Sequence, residues 1–236
     1  MDAVELVGAA MTIMSSLCGA QAAPTPFVLE LLFEQAQHQR YSGMFDAARA
    51  QHQTILTMRL QLLDEEHVDR AESLLALAQC SLLQSKFDDS KQFLTEAQTI
   101  RSKAFGEQHW KTGEVLVTYA EILHARSHYA ESTELLSKAV GIFKSQFGDN
   151  DLHPQTSVAL LCMSANAREL GSYELAAALA TQALNARTVI LGDEMHPDVA
   201  QCLFQLALVQ RAQGKVLAAK KSLDVCIAVQ RERLGA

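Results

Sequence analysis

"LGDEMHPDVA", residues 191–200, is the fourth passage of one kind in this chain of 236 residues. "LLDEEHVDRA" (62–71), "FGEQHWKTGE" (105–114) and "FGDNDLHPQT" (147–156) precede it, each with an apolar residue, an acidic stretch and then a histidine. Histidines beside carboxylates suit a metal ion, and they also suit punctuation between copies of one structural unit. Spacing decides between the two. His67, His109, His153 and His196 lie 42, 44 and 43 residues apart. Ligands of one ion need a tight spacing such as i, i+4, whereas repeat starts fall roughly a helix-pair width apart, on the order of 10–20 Å. The four histidines are therefore read as structural, and the two that precede a proline, His153 and His196, as lying at or near a helix cap. Pro154 and Pro197 after two of them suit a first helical turn, where a missing N–H is harmless. His124 and His128 do stand at i, i+4, but no third ligand is evident nearby, so no metal and no cofactor is expected.

Stepping back 42 residues from His67 reaches Thr25, the start of a unit without its histidine. Aligned on these starts, the units keep small residues in two columns. Eleven positions on stand Ala36, Ala78, Ala120, Ser164 and Ala207; twenty-three on stand Ala48, Ser90, Ser132, Ala176 and Ala219. Between them come Gly43, Ser85, Ser127, Gly171 and Gly214, and two residues later Phe45, Phe87, Tyr129, Tyr173 and Val216. A column thirty positions on, Ile55, Ala97, Ala139, Ala183 and Cys226, serves packing onto the next unit. The pattern predicts a helical hairpin per unit: a first helix of about 15 residues, a turn at the Gly or Ser, and a second helix opened by the aromatic residue. The small columns mark where the two helices cross. One hairpin cannot bury its own apolar face, so neighbours must stack. The expected fold is all-α, a right-handed helical-hairpin solenoid of five repeats, 25–66, 67–108, 109–152, 153–195 and 196–236. An N-terminal helix or incomplete repeat over 1–24 precedes them.

Composition narrows the function classes. Twenty basic against 27 acidic residues give a net charge of −7, the wrong sign for nucleic acid or anionic lipid. Residues 6–29 carry no charge, but the apolar part ends near Cys18, short of the roughly 18–20 residues a span needs. Asp2 and Glu5 occupy the place where a secretory signal carries Lys or Arg. Five scattered cysteines (Cys18, Cys80, Cys162, Cys202, Cys226) form no C-x-x-C pair and read as reduced core residues of a cytoplasmic protein. None of the common catalytic motifs (G-x-S-x-G, the P-loop, H-E-x-x-H, G-x-G-x-x-G) is present, so no enzyme activity is expected.

The small–aromatic–small pattern resembles the tetratricopeptide repeat, and the 42-residue period with its linkers resembles the kinesin-light-chain type. The stretch "LALVQRAQGKVLAAKKSLDVCIAVQRERLG" (206–235) is the closest match, and the resemblance extends over about residues 25–236. It implies a concave face lined by the first helix of each unit. The columns expected there are Phe33, Leu75, Val117, Leu161 and Phe204; Gln37, Gln79, Glu121, Ala165 and Leu208; and Arg40, Leu82, His124, Arg168 and Arg211. Kinesin light chains hold short peptides, an aromatic residue flanked by acids, on this inner face. Arg168 and Arg211 fall where that family commonly has Arg. The family often has Asn in the column of Phe33 and Leu75, which is apolar in all five units here.

The expected function is a non-catalytic scaffold or adaptor. Its groove would bind an acidic, amphipathic peptide or helix of a cargo or cytoskeletal partner, with apolar burial for affinity and the Arg column for orientation. Two alternatives stay open: a structural module that self-associates through uncapped ends, or the regulatory part of a larger enzyme. Leu234-Gly235 looks like the start of another linker, which gives the expectation of a longer array.

Overall fold

The computed structural model describes residues 25–148 and 153–234, and all the regular structure in them is helical. The helix or partial repeat expected over 1–24 lies outside the described residues. Within these residues ten helices follow one another in pairs: α1 (Pro26–Tyr41) with α2 (Phe45–Leu62), α3 (Val68–Leu83) with α4 (Phe87–Phe105), α5 (Trp110–Ala125) with α6 (Tyr129–Phe147), α7 (Pro154–Glu169) with α8 (Tyr173–Leu191), and α9 (Pro197–Ala212) with α10 (Val216–Leu234). They form two units, Met1–Ala104 and Phe105–Ala236. In the first, α2 packs between α1 and α3, and α1 touches α3. In the second, α5 to α10 pack each on the next, with α7 touching both α5 and α9.

Every first helix begins on the residue that marks the repeat. Thr25 caps α1 by accepting the Val28 N–H on its hydroxyl. His67, His109, His153 and His196 each accept, on Nδ1, the backbone N–H two residues ahead, at 3.1–3.3 Å. An N-cap needs an acceptor for an orphan N–H, and a neutral imidazole with its proton on Nε2 supplies one. The ring also takes up stacking. Phe147 lies flat on His153, centroids 3.9 Å apart, and Phe105 on His109 at 4.6 Å. The aromatic residue that ends one hairpin thus seats the cap of the next. Burial lowers the His153 pKa, which favours the neutral form that the cap requires.

Every hairpin reverses at a left-handed residue. φ is +80° at Gly43, +59° at Ser85, +64° at Ser127, and +76° at both Gly171 and Gly214. The N–H of the next residue reaches back five positions in each of the first three hairpins and the last two alike, as in Met44 to Gln39 and Lys86 to Ser81, closing a Schellman turn on the orphan carbonyls. Both small columns are buried, none of their ten residues being more than 5% exposed. Three hairpins add a bond between the columns. Ser90 donates to the Ala78 carbonyl, Ser132 to that of Ala120, and Ser164 of the opposite column to that of Ala176, all at 2.7 Å. A serine there keeps the close approach that alanine allows and joins the two helices as well.

One column escaped the sequence reading. Thirty-four positions into the units stand Arg59, Arg101, Phe143 and Arg187, at 3, 3, 0 and 7% exposure. Arg59 donates to the Asp69 carbonyl and to Ser73 Oγ, which binds α2 to α3. Arg187 donates through Nε to Ser157 Oγ of α7, and through Nη1 to the Asp198 carbonyl and Gln201 Oε1 of α9. Phe143 fills the equivalent space against Gly113. A Cβ on that glycine would stand 2.8 Å from the Phe143 ring.

Candidate partner-binding face

In the second unit the first helices α5, α7 and α9 lie in a row and carry the residues expected to line a groove. The column of Val117 and Leu161 does not reach the surface. Val117 is 3% and Leu161 7% exposed, each inside a core cluster with its neighbouring hairpin. In the first unit Leu75 is 8% exposed. This corrects the expectation that the whole column offers apolar area to a partner: in mid-array these side chains are used for packing. Phe204 on α9 is the exception at 48%. Phe33 on α1 is half-buried, packed on the His52 ring and under the Arg59 guanidinium.

The next two columns lie closer to the surface. Gln37, Gln79, Glu121 and Leu208 are half-buried, and Ala165 is buried. Arg40 bonds Gln37 Oε1 at 3.0 Å and lies over the Tyr41 ring, while Leu82 is half-buried. Arg168 meets Glu169 at 2.7 Å, yet its buried Nε has no hydrogen-bond partner. Arg211 is exposed and has no carboxylate partner among the described residues. One helical turn before the Phe204 column stand Glu114, Val158 and Gln201. The face of α5 is therefore acidic, with Glu114 and Glu121, whereas α7 and α9 combine apolar groups with arginine.

His124 is committed elsewhere. Its Nδ1 lies 2.7 Å from Asn166 Oδ1, and the Asn166 amide donates to Ser132 Oγ and Thr133 Oγ1. With both amide hydrogens used, the Asn166 oxygen must accept, so His124 Nδ1 carries the proton. Asn166 is fully buried and joins α5, α6 and α7. The sequence reading missed it, although its column (His38, Cys80, Ile122, Asn166, Val209) holds this single amide. Asn166→Leu keeps the volume but strands the buried donor and hydroxyls, at about 1–3 kcal/mol for an unmet group. Urea unfolding should show a loss of about 2 kcal/mol; an unchanged midpoint would mean the network carries no net stability. His128 Nδ1 sits 3.5 Å from Glu131, in the first turn of α6. Among the described residues no group of three or more His, Cys, Asp or Glu is placed to hold a metal, and no helix is long and apolar enough to cross a membrane.

No family model and no curated protein matches the chain. Solved structures do. A structure of the nearly identical TPR-like repeats of a kinesin light chain protein from Podosopora anserina shares 20% identity, over 88% of this chain and 97% of that one, with a TM-score of 0.58. BtubC (BKLC) from P. vanneervenii shares 17% over 99% and 90%, at 0.65. A Rap protein complexed with Competence and Sporulation Factor shares 16% over 94% of this chain and 59% of that one, at 0.74. By fold the chain is a helical-hairpin repeat protein of the tetratricopeptide-like class. The likeness to kinesin-light-chain repeats lies in that fold, as the period and linkers implied.

Proposed function

We propose that the chain is a non-catalytic protein-interaction scaffold whose five hairpins, 25–66 to 196–236, present first-helix faces to an acidic, amphipathic segment of a partner protein. The observation that carries this reading is the pairing of an exposed arginine without a carboxylate partner among the described residues with exposed apolar surface on α9. Arg211 lacks a carboxylate among the described residues and shares α9 with the exposed Phe204 and the half-buried Leu208, while Arg168 on α7 keeps one ion pair, to Glu169. Guanidinium groups favour carboxylates, and burial of an aromatic anchor supplies affinity. The acidic α5 face gives the partner a direction: its carboxylates belong over α7 and α9, away from Glu114 and Glu121. A neighbour of the same fold, a Rap protein, is complexed with Competence and Sporulation Factor, which supports a peptide or protein partner for this chain. Placement in the cytoplasm, on a cytoskeletal or transport assembly, follows from the kinesin-light-chain likeness and belongs to the same proposal.

The test is selection from a random peptide library displayed on phage, with the parent chain beside Arg168→Glu/Arg211→Glu, both of equal helicity by circular dichroism. The parent should enrich peptides that place Asp or Glu next to aromatic or aliphatic residues, and the double variant should not. Equal enrichment by both would reduce the Arg column to a solvated face. A second reading, self-association, has its own observation: Leu217, Val225 and Ile227 of α10 are 79, 40 and 45% exposed. It calls for a mass that rises with concentration in light scattering.

A further inference from the structure

In the first hairpin one residue departs from its column. Twenty-seven positions into the other units stand Leu94, Leu136, Ala180 and Leu223; in the first unit stands His52. His52 is 0% exposed, as are Leu94, Leu136 and Ala180. Neither of its ring nitrogens has a hydrogen-bond partner among the described residues. A neutral imidazole always has one donor and one acceptor nitrogen, so this ring leaves both unmet in the core, where each unmet group costs stability.

The surroundings of the ring also oppose a second proton. From α1, Phe33 meets it at 66°, centroids 5.0 Å apart, and Arg40 adds positive charge. From α2 itself, Arg59 adds more, and that buried guanidinium bonds only the neutral Ser73 hydroxyl and Asp69 carbonyl of α3. On α3 the buried titratable groups are Arg70 and Cys80, and the Cys80 thiol is pushed up by burial, against the opposing fields of Arg40 and Arg49. No carboxylate of the described residues is among the charges that bear on the ring. Burial first, then Arg40 and Arg59, bring the imidazole from 6.5 down to about 4. A histidine depressed in this way stabilises the fold above the unfolded value of 6.5 and progressively less as pH falls towards 4.

The two sides of α2 are not held equally. Towards α3 it is bound by Arg59 and by Arg49, which reaches Ser81 Oγ and Asp89, and Gln84 of the second hairpin bonds Asp46. Towards α1 the side-chain bonds among the described residues are those of Gln51 to the Leu32 carbonyl and to Gln35, over an apolar seat of Leu29, Leu32, Ala36 and Ile55. Among the described residues, fewer side-chain bonds hold α2 to α1 than to the second hairpin.

We propose that His52 makes the first hairpin a proton-operated joint: a proton on the buried ring unseats α1 from α2 and removes Phe33 and Arg40 from the first-helix face of that unit. Opening lets the charged imidazole reach water and separates it from Arg40. The joint belongs to the fold itself and stands whether or not the partner proposed above is found. Between pH 6.5 and about 4 the closed-to-open ratio of the hairpin should fall about tenfold per pH unit, and so about 30-fold between pH 7.5 and pH 5.

Hydrogen exchange followed by mass spectrometry on the full chain tests this, with rates corrected for intrinsic pH dependence. In the parent, α1 protection should drop about 30-fold from pH 7.5 to pH 5 while α3 changes far less. His52→Leu restores the residue of three of the other four units and should abolish the drop and raise α1 protection at pH 7.5. His52→Gln, polar but not titratable, should lower protection at both pH values equally, which separates titration from packing. A drop of the same size in either variant, or a parent α1 no more acid-sensitive than α3, overturns the proposal.

Discussion

Truncating Phe143 to alanine is expected to remove about 4 kcal/mol from the second unit, and to turn Gly113→Ala from a harmful change into a helpful one. Phe143 is fully buried among Val117, Ala120, Leu136, Ala139 and Ala159, with the His153 ring 5.7 Å away. A cavity of phenylalanine size in such a core costs about 3–5 kcal/mol. In the parent, a methyl at Gly113 meets the ring at 2.8 Å, and a ring packed on all sides cannot yield cheaply. Overpacking of that kind costs about 1–3 kcal/mol and outweighs the roughly 1 kcal/mol that alanine gains over glycine in a helix. Once the ring is gone, only the gain remains. Trp110 is the sole tryptophan and lies in this unit, 5.8 Å from His153 and 6.2 Å from Phe147, so its fluorescence reports the unfolding directly. Urea midpoints of the parent, both single variants and the double should show Gly113→Ala changing sign between backgrounds. Additive effects would mean the ring and the glycine are not packed as one unit.

That pair also shows what the sequence made legible and what it hid. The hairpin could be read because its constraints are single residues at fixed offsets: a cap acceptor at the start, a left-handed turn residue, two positions where helices touch. Each demands one residue type for a local reason, so a column of five reveals it. Ser85 and Ser127 sit among glycines and still adopt φ of +59° and +64°, because the turn geometry outweighs the preference of the residue. The 42-residue period therefore yields the helix starts and crossings without further help.

The buried arginines were hidden because arginine on an amphipathic helix is ordinarily a solvated residue. Its burial depends on partners in other helices, 10 to 30 residues away, such as Ser73 for Arg59 and Ser157 for Arg187, and only reading two columns together exposes the exchange of Ser157 and Arg187 for Gly113 and Phe143. The binding face suffered the opposite error. Leu75, Val117 and Leu161 share a helical stripe with the arginine column, and a stripe does not say how deep its residues lie. For Val117 and Leu161 depth is set by the neighbouring hairpin, whose residues complete their core clusters, whereas Phe204 on the last described hairpin is 48% exposed. His52 carried a legible signal, one imidazole among leucines, that goes unread unless the column twenty-seven positions on is written out.

Arg187→Met should lower the stability of the second unit by about 2–3 kcal/mol, more than any exposed arginine of the same unit. Methionine keeps most of the stem that packs between helices and removes only the head, so the loss isolates the hydrogen bonds. Three acceptors on two helices are at stake: Ser157 Oγ on α7, and the Asp198 carbonyl and Gln201 Oε1 on α9. A hydrogen bond from a charged donor contributes about 1.5–3 kcal/mol, and three sharing one head do not add. Against them stands the cost of burying a guanidinium whose bonds go only to neutral groups, and methionine relieves that cost. The bonds are expected to win because the head reaches both α7 and α9, so its removal loosens the α8–α9 joint as well as the hairpin. Arg211→Met is the matched control, an exposed arginine one helix further on, and should stay within about 0.5 kcal/mol of the parent. Urea unfolding read at Trp110, with hydrogen exchange at α9, separates the hydrogen bonds from the desolvation. Lost stability with faster exchange in the first turn of α9 assigns the column to joining hairpins. A gain in stability would show that burying the unpaired charge costs more than its hydrogen bonds contribute, and that the arginines persist for a reason other than holding the array together.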